Sequence, residues 1–364
     1  MLLSNRAASS QRPSGAPRPG DKWNFNASTY AFTFPPTSLP SMLTAFGCDG
    51  AHPVRVTGQS ALGSAVWIDL HAPTEDEVRL VTEATGLRIP TRDEVSEIEA
   101  SSRLVLREGV LYLSMPLITM ADGPRVVSAG FVLSPERLLT VRFAPSAVFD
   151  AFIARLPEMA TPNGNGAHIL IGLLGAIVDR QADAMERIHA ELDEVSHRVF
   201  SLAGKSRAGR KIEDRLLRDT LAELGRIGDL ISHIRESLLG CTRLLPFIEA
   251  NTADWLPKEL HPQLTTLRDD AASISDFDNH LTDKLQFLLD ATLGFINIAQ
   301  NDVMKVMTIA SVVGIPPVLI AGIYGMNFKN IPELDWTWGY QFGWALIILT
   351  TLIPLAVFRW RKWI

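Results

Sequence analysis

Cysteine is nearly absent from this chain. Its 364 residues hold two, Cys48 and Cys241, far apart and in no CxxC pair. That excludes a disulfide framework and a zinc finger, and predicts two ordinary thiols. Positive charge is not in excess either. Thirty-four Lys and Arg face 40 Asp and Glu, for a formal net charge of -6, which argues against nucleic acid as a partner. The eight histidines are scattered, with no HExxH and no Ser/His/Asp constellation. The chain is therefore expected not to be an enzyme and to use no organic cofactor. Gly204-Lys205-Ser206 lacks the earlier glycine of a phosphate-binding loop, since Val199 stands in its place, and reads as a turn between helices. No repeat of fixed period is present. Met1-Leu2-Leu3 runs straight into polar residues, which predicts no export signal. Residues 1–40 hold few large apolar groups and are expected to be disordered.

What the chain does have is apolar surplus, concentrated at one end. Mean hydropathy is +0.13. Val306–Tyr324 and Phe342–Phe358 carry no charged residue, and each is about the length of a membrane-crossing helix. Trp336, Trp338, Tyr340 and Trp344 stand beside the second stretch, and Trp360 and Trp363 at its far end, as interfacial aromatics do. Lys305 precedes the first span, and Arg359, Arg361 and Lys362 follow the second. This bias of positive charge predicts both termini in the cytoplasm and a short loop outside.

Upstream, Ala65–Leu70 reads as a strand. Thr74 with Glu77 three residues later is a capping box, and Gly86 a stop, for a helix over 74–86. Pro90–Ser101 reads as one further helix. Leu104–Arg107 and Val110–Met115 flank Glu108-Gly109 as a hairpin, and Val127–Leu133 and Leu138–Phe143 flank residues 134–137 as another. The alternation predicts an α/β domain with a mixed sheet. From Ile169 the apolar period becomes helical: Ile169–Ser201 and Arg210–Phe247 form a long antiparallel helical hairpin. A third helix starts near Pro262 and runs without a strong breaker into the first span. From Pro262 to Tyr324 it would be about 90 Å long. A helix of that length needs partners, most economically copies of itself.

Along that helix Asn301, Met304, Met307, Ser311, Ile315, Val318 and Gly322 recur at three or four residues, a mean period of 3.5. This is the seam of helices packed about a common axis. Periodicity alone leaves two readings open, a plain bundle core and a water-filled axis.

The residues after the first span bear on this choice. Tyr324-Gly325-Met326-Asn327-Phe328 is followed by Ile331-Pro332-Glu333-Leu334, then Trp336, Trp338, Gly339 and Tyr340, the second span and a basic end. This order resembles the CorA family of magnesium transporters, with its YGMNF signature, MPEL-like loop and Lys/Arg-rich tail. Glu97-Ile98-Glu99-Ala100-Ser101, Leu138–Arg142, Leu288-Leu289-Asp290 and Asn301-x-x-Met304-Lys305-Val306 extend the resemblance over most of the chain after residue 60. IPEL replaces MPEL, Val318 stands where many relatives carry a pore-facing threonine, and Thr266 stands where some carry an acid that binds regulatory magnesium.

The resemblance implies a homopentamer in the inner membrane, with membrane lipids and divalent metal ions as its other partners. It would pass Mg2+, and also Co2+ or Ni2+, under the control of Mg2+ bound on the cytoplasmic side. The fold class expected is α+β/α: a cytoplasmic α/β domain, a helical hairpin, and a stalk helix continuing into the first of two C-terminal spans. Its parts would be a disordered segment 1–40, an α/β domain 41–165, the hairpin 166–261, the stalk and first span 262–324, an external loop 325–341, the second span 342–358 and a basic tail 359–364. Gly325, Met326 and Asn327 would form the selectivity filter, and Asn301, Met304, Met307, Ser311, Ile315 and Val318 would line the pore. Glu333 and Asp335 would draw cations to the mouth, and Glu94, Glu97, Asp269 and Asp270 are candidate regulatory metal ligands. Two other readings stand beside this one: a zinc transporter of the same superfamily, and a non-conducting membrane-anchored receptor or scaffold.

Overall fold

The structure, a computed structural model, describes residues 42–49, 52–56, 59–120, 123–158, 165–202, 210–327, 331–361 and 363. The segment 1–40 expected to be disordered lies outside these residues, as does the Gly204-Lys205-Ser206 turn.

Seven strands form one sheet: β1 (Met42–Asp49), β2 (His52–Val56), β3 (Trp67–His71), β4 (Leu104–Arg107), β5 (Val110–Thr119), β6 (Arg125–Leu133) and β7 (Leu138–Arg142). Their order is β2-β1-β3-β7-β6-β5-β4. Only β3 and β7 run parallel, and they sit at the centre. Every residue of both is buried, as expected of a strand covered on both faces. The polar members of those two strands must then find partners inside. The Asp69 carboxylate accepts from Thr140 Oγ1 at 2.6 Å and from Arg142 Nε and Nη2 at 3.2 and 3.0 Å. Trp67 Nε1 donates to Thr140 Oγ1, and Arg142 reaches the more exposed Asp150 and lies over the Phe149 ring. The charges are thus paired across the β3–β7 junction, the condition for burying them at all.

The first hairpin, β4–β5, turns on Glu108 (φ 50°) and Gly109 (φ 76°). Two positive φ values in succession match the right-handed strand twist, and glycine meets the second without strain. The second hairpin, β6–β7, is closed by Ser134, whose hydroxyl accepts from the Arg137 amide. The outer strands β1 and β2 have no counterpart in the sequence reading.

On one face of the sheet lies α1 (Glu75–Thr85), begun by the Thr74–Glu77 capping box and ended by Gly86 in the left-handed conformation. The helix expected over Pro90–Ser101 is instead two pieces, α2 (Arg92–Ser96) and α3 (Ala100–Arg103). Glu97 between them is extended, at φ -57° and ψ 142°. Its carbonyl accepts from Arg103 Nε, a position that a continuous helix would give to the amide of residue 101.

The other sheet face packs against α4 (Ala147–Arg155), α5 (Gly166–Leu202) and α6 (Arg210–Thr252) through a core that includes Trp67, Phe131, Phe149, Leu173 and Leu244. Gln181 meets Ser237, Glu191 meets Arg226 and Arg198 meets Glu223. One number falls as the other rises, so α5 and α6 are antiparallel. Along them runs α7 (Leu260–Tyr324), 65 residues without a break despite Pro316 and Pro317. At 1.5 Å per residue it is about 97 Å long. Its buried positions Leu264, Ala271 and Asp278 are seven apart, with Leu281 and Leu288 beyond, a heptad seam against the hairpin. The last helix, α8 (Gly339–Trp360), returns along the far end of α7.

Candidate functional site

Two helices, α7 and α8, are long and apolar enough to cross a membrane, and no residue in the apolar window of either is buried in the single chain. They face each other along half-buried seams. On α7 these residues include Lys305, Ile309, Val313, Pro316 and Ile320, and on α8 Gly343, Leu346, Ile347, Thr350 and Pro354. Lys305 stays paired here, its Nζ 3.0 Å from Asp302 Oδ1. Thr308, Thr350 and Thr351 donate their hydroxyls to carbonyls three or four residues back, which satisfies them where no water is present.

The stripe picked out by its 3.5-residue period lies elsewhere on α7. Met304 is 60% exposed, Met307 61%, Ile315 63% and Val318 73%, and Asn301, Ser311 and Gly322 are exposed too. On a wheel of about 100° per residue the centre of this stripe is about 145° from the centre of the seam that meets α8. The second span therefore covers the opposite face and leaves the stripe bare for its whole length.

The stripe ends at the signature. The Gly325 amide donates to Ala321 O and the Met326 amide to Ile323 O, closing the last turn. Asn327 follows, exposed with its two predecessors. Residues 328–330 are outside the described set. The chain resumes at Ile331 and makes a single 3-10 turn over Pro332–Asp335, with Glu333 half-buried and Asp335 exposed. Gly339 fits against this turn so closely that a Cβ there would lie 2.1 Å from Glu333 O. Glycine is therefore what lets the loop fold back into α8.

The four acids considered as regulatory metal ligands are not brought together. Among the described residues no group of three or more His, Cys, Asp or Glu could hold a metal ion. Glu94 has one carboxylate oxygen on Arg88 and the other on the Thr91 amide. That backbone bond, with Arg88, holds its carboxyl below the ordinary value against the opposing effect of burial. Both oxygens are engaged within the chain. Glu97 is exposed between α2 and α3, and Asp269 and Asp270 are on α7. The buried acid of α7 is one the sequence reading did not single out. Asp278 binds Arg235 Nε at 2.5 Å, and Arg235 Nη2 also donates to Thr282. An acid in a heptad slot between Ala271 and Leu281 was the signal for it.

The model of the CorA-like Mg2+ transporter protein family matches residues 63–361. The chain belongs to the CorA family. Two curated CorA magnesium transport proteins, from Salmonella typhimurium and Escherichia coli K12, are each 31% identical to it over 327 residues. That is 89% of this chain and all of theirs. Among solved structures, the complete CorA magnesium transporter of Methanocaldococcus jannaschii shares the fold, with a TM-score of 0.68 at 18% identity over 90% of this chain and all of that one. The full-length CmaX protein gives a TM-score of 0.65 at 17% identity over 89% of this chain and 98% of its own. The mixed sheet, the long helices and the two apolar C-terminal helices are thus those of a CorA fold, in a membrane protein of a transporter family.

Proposed function

We propose that this chain carries Mg2+, and with it Co2+ or Ni2+, across the inner membrane through a pore formed by five copies of α7. The observation that carries the reading is the bare stripe opposite α8, which runs from Asn301 to Gly322 and delivers Asn327 to the end of the span. Copies placed with this stripe inward have α8 outside, toward lipid. Exposed apolar residues farther down α7, Phe287, Leu293 and Ile298, give the same copies a further surface to bury.

Magnesium gives up its waters reluctantly and insists on octahedral oxygen. A ring of Asn327 amides accepts hydrogen bonds from the waters of a hydrated ion and stays neutral. A ring of carboxylates would hold a divalent ion too tightly to release it. Glu333 and Asp335 raise the local cation concentration at the mouth. Met304 and Met307, a turn apart, form an apolar constriction that closes by excluding water. With both termini and residues 41–261 in the cytoplasm and 325–341 outside, two charges moving inward through 100 mV release about 4.6 kcal/mol. Cytoplasmic Mg2+ closes the pore by bridging carboxylates of neighbouring subunits, with Glu97, Asp269 and Asp270 the available ligands.

The test is flux of each divalent metal into liposomes holding the full-length protein and two variants. Asn327→Ala keeps the fold, because the residue is exposed at a helix end, and abolishes transport. Asn327→Asp retains divalent ions and slows their release. If both variants carry Mg2+ at the parent rate, Asn327 is not the filter.

A further inference from the structure

We propose that the free edge of the sheet holds a second binding site, a cleft for a small phosphate-type or carboxylate-type oxyanion between β5, α3 and α6. None of its lining residues belongs to the stripe or to the loop after the first span. Strand β4 stops pairing at Leu104, opposite Leu113, so the next residue of β5, Ser114, meets no strand on that side. Two hollows of about 170 and 230 Å3 open there, and Ser114 and Arg103 line both. Each has room for several water molecules.

Three features make this a built site rather than a surface dent. Ser114 is 8% exposed, and its buried Oγ has no hydrogen-bond partner among the described residues. A buried hydroxyl is ordinarily paired, so an unpaired one on a residue that lines both hollows is a place for a missing partner. Arg103 is anchored through its Nε to Glu97 O, which fixes the stem while its terminal amines, bonded to nothing among the described residues, remain to donate. Arg243 of α6 lines the first hollow and Arg107 the second. A guanidinium fork matches the paired oxygens of a phosphate or carboxylate.

Acids line the hollows as well, and they shape the ligand. Glu94 is consumed by Arg88 and the start of α2. Glu97 and Glu236 are exposed at the rims, where they leave room for a cation that accompanies the anion. Leu104 and Leu239 give the first hollow an apolar wall, so a compact oxyanion fits with or without a small apolar part. Because α6 also packs along α7, an occupied cleft ties the sheet to the helices that carry the stripe.

The experiment is calorimetric titration of the full-length, detergent-solubilised protein with inorganic phosphate, and separately with acetate, against chloride at matched ionic strength. Saturable phosphate binding is expected, and displacement by acetate extends the ligand class to carboxylates. Arg243→Gln and Ser114→Ala should each weaken binding about tenfold, the loss of one charge-assisted or buried hydrogen bond. Arg79→Gln, an exposed change on α1, should leave it unchanged. Arg243 is itself exposed, so its loss does not threaten folding. No saturable signal beyond chloride, or binding that ignores both Arg243→Gln and Ser114→Ala, overturns the proposal.

Discussion

A cysteine placed at each position from Asn301 to Gly322 in turn would test the bare face of α7 directly. The background needs little preparation. Burial pushes the Cys241 thiol up to about 12, so almost none of it is the reactive thiolate at neutral pH, and only Cys48 requires replacement. The stripe and the α8 seam are about 145° apart by the 100° turn per residue. Modification by a charged, water-soluble thiol reagent should therefore peak at 301, 304, 307, 311, 315, 318 and 322, and fall to its minimum near 305, 309, 313, 316 and 320. A thiol packed against α8 is reached only when the two helices part, and an opening that costs about 1.4 kcal/mol or more slows the reaction by about tenfold or more, so the contrast should be at least of that size. Oxidation should also cross-link the stripe positions between subunits and leave the seam positions monomeric. Equal modification all around the helix, or a maximum on the face that meets α8, would refute the axial stripe and the pore with it.

Two further predictions concern the buried network. Arg142→Ala strands the Asp69 carboxylate inside the sheet with Thr140 Oγ1 as its remaining partner, which should cost about 3–5 kcal/mol. The double change Asp69→Leu with Arg142→Met should recover most of that loss, and thermal scans of the full chain would show no recovery if the ion pair itself were the source of stability. Burial, and then the Arg142 charge, lower the pKa of His71 below 6.5, against smaller raising effects of Asp69 and Asp150. The unfolded chain thus binds the proton more readily. Stability from this group is full above about pH 6.5 and drains away as pH falls below it. His71→Gln should flatten that acid-side slope in melting scans, and identical slopes would show that another group titrates.

The parts of the fold that announce themselves in the sequence are those with local causes. The Thr74–Glu77 box, the Glu108-Gly109 turn and the 3.6-residue period of α5 and α6 each depend on neighbours a few residues away. β1 and β2 escaped because their register is set by pairing with β3 and with each other, and their flanks carry no sharp alternation. The break at Glu97 depends on Arg103 reaching back for a carbonyl, which no propensity encodes. At the candidate site the stripe was legible as a 3.5-residue period, but not the face that α8 would take. Asp69 and Arg142, on strands 73 residues apart, meet only through the parallel pairing of β3 with β7.

The unbroken length of α7 also makes it a lever. It is clamped to the hairpin by Arg235 and Asp278, and from there it runs as one continuous helix to the end of the first span. A tilt of about 2° at Asp278 carries Met304 and Met307, about 39 and 44 Å farther along the helix, about 1.5 Å sideways, comparable to a carbon–carbon bond length. Movements too small to disturb the packing around the sheet are thus large enough, at the other end, to change whether Met304 and Met307 stand apart or touch.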